Sequence, residues 1–151
     1  MIFNHFPPDS KVWLFIANQK VSSSQTKLLH FHFSNFCETW KSHGTSLIGE
    51  LKLVHEQLIV FGVNQQNLCG RSVDALVRFV RDTESYLGLD LLNRSRMGHL
   101  KNDIFNTFLF HEMKSHKLIN SISATTMITN NFIEKNREEL FIPLSQSPFK
   151  D

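Results

Sequence analysis

Leu58-Ile59-Val60-Phe61-Gly62-Val63 is apolar at every position and too short for a helix, so it reads as a β-strand covered on both faces. Just before it, Leu47, Gly49, Leu51 and Leu53 alternate with Ile48, Glu50, Lys52 and Val54. That period of two marks a strand from Ser46 to His55 with one wet face. The polar connection His55-Glu56-Gln57 makes the two a hairpin. A second continuous apolar run, Val12-Trp13-Leu14-Phe15-Ile16-Ala17, predicts the first strand, again buried on both faces.

Helices fill the gaps. Ser22-Ser23-Ser24 offers capping hydroxyls, and Leu29, Phe33, Phe36, Cys37 and Trp40 follow at helical spacing. His43 near the helix end suits the negative pole of the macrodipole, and Gly44 suits an αL closure. His30 to Phe33 also alternate as a strand would. After the polar turn Asn64 to Arg71, Val73, Leu76, Val77, Val80 and Leu87 mark a second helix, capped by Ser72 and closed by Gly88. The order β-α-β-β-α predicts an α+β fold with a ferredoxin-like core over residues 11–93. Its first and third strands, the doubly buried pair, would sit centrally, with Asp90-Leu91-Leu92-Asn93 as a short fourth strand.

The final third is less regular. Asp103 to Lys117 reads as a helix with Asn102 or Asp103 as cap, Thr125 to Thr129 as a short strand, Asn130-Asn131 as a turn, and Glu134 to Leu140 as a helical turn or two. The expected organisation is an irregular lead-in over 1–10, a single α+β domain over 11–144, and a flexible tail over 145–151.

With 151 residues the chain has the size of one domain and can bury roughly 70% of its unfolded surface. A formal charge of +2 and 41% hydrophobic residues are ordinary, whereas fourteen Phe is a surplus of aromatics that invites burial or an interface. No apolar run approaches the ~20 residues of a membrane-spanning helix, and the first residues lack a signal-peptide pattern, so a cytoplasmic location is expected. Two cysteines, Cys37 and Cys69, make no disulfide framework.

Phosphate-loop, dinucleotide-binding, zincin and nucleophile-elbow motifs are absent from the sequence, which argues against a P-loop nucleotide hydrolase. The strongest local candidate is Asn67-Leu68-Cys69-Gly70-Arg71-Ser72-Val73-Asp74, a strand-to-helix turn. Its amides and helix pole would welcome an anion at Gly70, Arg71 and Ser72. Cys69 stands where a thiolate is stabilised, so a nucleophilic cysteine with His43 as base and Asp74 as orienting carboxylate can be drawn. The same residues also serve a plain helix start, with Cys69 a small packing residue. In a split β-α-β core, moreover, His43 falls at the opposite edge from Cys69.

Eight histidines include His30-x-His32 and His111-x4-His116, but on a helix neither spacing converges on one ion, so no metal site and no cofactor are expected. A strand over His30 to Phe33 would reverse that for the first pair. The basic stretch Arg94 to Lys101, with Arg71, Arg78 and Arg81, could form a phosphate or RNA patch, yet the low net charge and missing RNA-binding signatures favour a solvated loop. The aromatics Phe31, Phe33, Phe36 and Trp40 cover more than one helical face, pointing to a partner or a second copy of the chain.

Four blocks, Lys11 to Lys20, Trp40 to Gly44, Gly70 to Asp74 and Met127 to Ile133, resemble in order and spacing a family of small Bacteroidetes-type proteins of unestablished activity. Those proteins often carry the label "ABC transporter ATPase", which this chain, lacking a phosphate loop, gives no reason to adopt. The family turn reads Gly-Cys-Ser-Ile-Asp, whereas here Arg71 precedes Ser72 and the cysteine lies two positions earlier. The expected role is a non-enzymatic protein acting through protein or self-association. The alternative is a small-ligand or phosphate-binding domain, with hydrolase chemistry at the 67–74 turn.

Overall fold

The apolar runs do form the centre of the molecule. In the computed structural model, which describes residues 1–113 and 122–149, β1 (Val12–Ile16) and β4 (Gly49–Val54) flank β5 (Leu58–Val63) in an antiparallel sheet of order β1-β5-β4. Every residue of β1 and β5 is buried and β4 is mostly half-buried, as the patterns required. One face carries Trp13, Phe15, Ile59, Phe61 and Val63 against α1 (Ser23–Thr39) and α2 (Gly70–Leu87), which supply Leu29, Phe33, Leu76, Phe79 and Val80. The other face carries Val12, Leu14, Ile16, Leu58 and Val60 against Ile2, Phe3, Phe6 and Ile133.

The first ten residues are irregular but built in. Asn136 is fully buried and ties them down: its Oδ1 accepts from the Phe3 amide at 2.7 Å, and its Nδ2 donates to the carbonyls of Phe3 at 2.8 Å and Phe6 at 3.1 Å. Phe3 lies so close to Gly62 that a Cβ there would collide with its ring. This explains a glycine inside an otherwise bulky strand.

Helix α1 starts where expected, with Ser22 and Gln25 in a reciprocal capping box, but it ends at Thr39. His43 (φ 53°) and Gly44 (φ 77°) are not its cap. They are the turn of a small hairpin, β2 (Lys41–Ser42) with β3 (Thr45–Ser46), because two successive positive φ values match a type I′ connection. Ser72 does not cap α2 either: Cys69 is the N-cap residue, and the Ser72 hydroxyl bonds the Cys69 carbonyl at 2.7 Å. Gly88 closes α2 in αL as predicted.

Asp90–Asn93 forms no strand. The amides of Leu91 and Leu92 are taken by the Glu84 carboxylate at 2.7 and 3.0 Å, and that of Asp90 by Asn18 Oδ1 at 2.9 Å, so few donors remain for a ladder. The outer edge of β1 is instead partly covered by a bridge from Lys11 to Lys135 and by Arg94, whose Nη1 donates to the Leu14 carbonyl at 2.9 Å.

The expected helix from Asp103 is also overturned. β6 (Arg96–Lys101) and β7 (Ile104–Leu109) form a hairpin through Asn102 and Asp103, both at positive φ, and only Phe110–Met113 is helical (α3). Residues 114–117 lie outside the described residues. With β8 (Met127–Thr129) and β9 (Phe141–Pro143) the hairpin makes a second antiparallel sheet, β7-β6-β8-β9. β8 realises the strand expected at 125–129. Glu134 to Leu140 is not helical; it turns back on the lead-in, the Arg137 amide donating to the Pro8 carbonyl at 2.8 Å. In the expected tail, Leu144–Gln146 is a 3-10 turn and Ser147 is buried, while 150 and 151 lie outside the described residues.

The molecule is thus mixed α+β, with antiparallel sheets and three helices among the described residues. Among those residues no helix is long and apolar enough to cross a membrane.

Candidate functional site: a cysteine at a helix start

The early end of α1 changes the geography of the candidate site. Because the chain turns extended at Trp40 and enters the β2–β3 hairpin, Ser42 and His43 are carried to the start of α2 rather than to its far side. Trp40 anchors this arrangement: its ring is buried among Trp13, Phe33 and Phe36, and its Nε1 donates to the Ser72 carbonyl at 2.9 Å. The hairpin and the helix start are therefore held together.

Cys69 sits at that junction, partly exposed, as the N-cap residue of an 18-residue helix. Its amide donates to Ser42 Oγ at 2.9 Å, which leaves the Ser42 proton free to turn toward the sulfur. Its Sγ is 3.4 Å from Ser72 Oγ. The thiol pKa falls from 9.0 to about 6, through hydrogen bonds from the Ser72 hydroxyl first, then the Ser42 hydroxyl and the backbone amides of His43 and Ser72, which outweigh the small opposing effect of burial. The positive pole of α2 acts in the same direction.

Ser72 has one proton and two claimants, the sulfur and the Cys69 carbonyl. With a neutral thiol the proton rests on the carbonyl at 2.7 Å, and with a thiolate it turns to the sulfur, while the carbonyl keeps the amides of Ser72 and Val73 at 3.1 and 3.3 Å. The second cysteine makes the contrast. Cys37 is packed against the core beside Gly49, and burial pushes its thiol up to about 11 despite a backbone hydrogen bond from Gly49 that lowers it.

The sketched triad assembles only in part. His43 reaches Cys69 through its backbone amide, and Asp74 is exposed on α2; the sulfur is stabilised by hydroxyls and amides, not by an imidazole or a carboxylate. Gly70 and Arg71 are exposed at the helix start, but Ser72 is buried and engaged with Cys69, so the three do not form an open anion cradle. Sequence reasoning missed Ser42; its signal lay in His43-Gly44, a hairpin turn that places the preceding serine on a strand.

Elsewhere, the first histidine pair lies two positions apart on a helix and does not converge. His30 and His32 lie on α1, where His32 packs on Tyr86 with ring centroids 4.3 Å apart, and His116 lies outside the described residues. Among the described residues no three His, Cys, Asp or Glu side chains gather as a metal site. The basic stretch is not a solvated loop: Arg94 and Ser95 form a turn and the rest is β6 itself, where Arg96 is mostly buried and pairs with Asp90 at 3.1 Å. Comparison of the chain with protein-family models, curated proteins and solved structures finds no match.

Proposed function

We propose that this chain works through Cys69, as a thiolate that binds and attacks a small electrophilic ligand at the 67–74 turn. The observation that carries the reading is the set of donors converging on Cys69 Sγ: two hydroxyls and the backbone of the His43 hairpin turn, at a helix start. A thiolate populated at neutral pH needs no general base to become nucleophilic. Acyl compounds suit the site best. As the sulfur's charge passes to a carbonyl oxygen in the tetrahedral intermediate, the same hydroxyls and amides are released to stabilise that oxygen. Anion binding at Gly70, Arg71 and Ser72 is the weaker form of this reading, because a thiolate already occupies the anion's place.

The test is pre-steady-state acylation by p-nitrophenyl acetate at pH 7, read by nitrophenolate release and intact mass. The expected result is a burst of about one equivalent with the acetyl group on Cys69, lost in Cys69→Ala. The absence of a burst, or acetyl groups spread over lysines at equal rates, contradicts it.

A second reading, association with a protein partner or a second copy in the cytoplasm, is favoured by exposed Leu28 and Phe31 one turn apart on α1, beside exposed Tyr86 of α2. Light scattering after size exclusion decides it. An oligomer that Phe31→Asp converts to monomer supports it, and a wild-type monomer that retains no partner in pull-downs opposes it. Membership of the Bacteroidetes-type family and a ferredoxin-like ancestry for the β1-α1-β4-β5-α2 unit are part of the same proposal. The strand order β1-β5-β4 supports the latter, with the fourth strand's place taken by Arg94 and the Lys135 segment.

A further inference from the structure

A cavity of about 390 Å³ opens beside the outer edge of β1, which no full strand covers, sharing no residue with the Cys69 turn. Its size falls at the small end of the ~300–1,000 Å³ of small-molecule sites. Leu14 and Ile16 of β1 and Met97 of β6, all buried, form its apolar floor. At its rim Phe132 is 61% exposed yet stacked on Phe149, ring centroids 5.6 Å apart. An exposed aromatic held in place over an apolar floor is a surface made for contact with another apolar group.

The polar part of the lining is cationic. Arg96 pairs with Asp90, and its buried Nε has no hydrogen-bond partner. Arg94 lays its guanidinium over the Phe15 ring at 5.0 Å and donates Nη1 to the Leu14 carbonyl, its other donors having no partner among the described residues. Among the described residues no carboxylate pairs with Arg94. Among the described residues, the two arginines and Asp90 leave one positive charge without a carboxylate partner beside an apolar floor and an aromatic rim.

We infer that this cavity binds a small organic monoanion, an aromatic or aliphatic carboxylate, with its charged group on Arg94 and its apolar body against Ile16 and Phe132. A carboxylate matches the planar fork of a guanidinium, and one negative charge balances the one left over. A phosphate dianion would overshoot that balance beside Asp90. The partly desolvated Arg94, its pKa lowered by burial, strengthens rather than weakens with such a partner.

Isothermal titration of the full chain with 2-naphthoate, octanoate, the neutral 2-naphthalenemethanol and inorganic phosphate tests the assignment. Saturable 1:1 binding of a carboxylate is expected, about tenfold or more weaker for the neutral alcohol and for Arg94→Gln, and severalfold weaker for Phe132→Ala. Circular dichroism establishes that each variant is folded. Should Arg94→Gln fail to fold, the comparison of naphthoate with its neutral alcohol on the wild type decides alone. No saturable binding of either carboxylate, equal binding of the neutral alcohol, undiminished binding by folded Arg94→Gln, or tighter binding of phosphate overturns the inference.

Discussion

Cys69 and Cys37 show how position, not residue type, sets thiol chemistry. One stands at a helix start among hydrogen-bond donors that lower its pKa to about 6; the other is packed behind Gly49, where burial raises its pKa to about 11. Ser42→Ala removes a donor to the sulfur and the acceptor of the Cys69 amide, and is expected to raise the Cys69 midpoint by about one pH unit. The pH dependence of iodoacetamide labelling, followed at Cys69 by peptide mass, checks this, and an unchanged midpoint would remove Ser42 from the site. The lowered pKa also has a sign for stability. A group with a depressed folded pKa contributes stability above its unfolded value and loses it as pH falls through the folded one. Thermal melts of wild type against Cys69→Ala should therefore diverge in favour of wild type as pH rises from about 6 to about 9. Parallel curves would mean the thiol is not perturbed. The cysteine itself was legible in the sequence, since it precedes a helix start. Of its donors, Ser72 lies only three residues on and was in view, whereas Ser42 and the His43 amide come from a hairpin some 27 residues upstream that no local pattern joins to it.

Elements fared differently according to whether their signal was local. The strands β1 and β5 and the helices α1 and α2 carry their own periodicity, and all four form, although α1 stops at Thr39, short of His43 and Gly44, and α2 starts at Gly70, ahead of the Ser72 cap the pattern proposed. The β6–β7 hairpin carries a misleading one: Ile104, Phe105, Phe108 and Leu109 repeat as a helix would, and Asn102-Asp103 looks like a cap. Pairing of Leu100 with Phe105 and of Met97 with Phe108 overrides that propensity. The same two residues, Asn and Asp, are among the few that accept the αL backbone of a type I′ turn. Asp103, at φ 62°, occupies the second turn position, where glycine is best. Asp103→Gly is accordingly expected to stabilise the protein by about 0.5–1 kcal/mol in urea unfolding, whereas a residue in a true α-helix would be destabilised by a similar amount.

At the scale of the whole molecule, the lead-in is a structural layer and not an appendage. Asn136 joins residues from both ends of the chain through side-chain bonds to Phe3 and Phe6, and Phe3 in turn seals the face of β5 at Gly62. Asn136→Ala takes the partner from the buried Phe3 amide and Phe6 carbonyl and weakens the bonding of the Phe3 carbonyl, and should cost at least about 3 kcal/mol in denaturant unfolding. A loss below about 1 kcal/mol would mean that the lead-in is not locked to the core. No sequence pattern foretold this contact, since it spans 133 residues and rests on a single polar side chain. The same long-range closure leaves β1 without a full fourth partner strand, and so opens the cavity floored by Leu14 and Ile16.

The central claim is that the fold converts Cys69 into a thiolate at neutral pH, and the most direct measurement is its ionisation by ultraviolet thiolate absorbance in Cys37→Ser, where Cys69 is the only thiol. A single titration with midpoint near about 6, moving to the ordinary range of about 8.5 on unfolding in urea, is the predicted result. A midpoint at or above about 8.5 in the folded protein would contradict it.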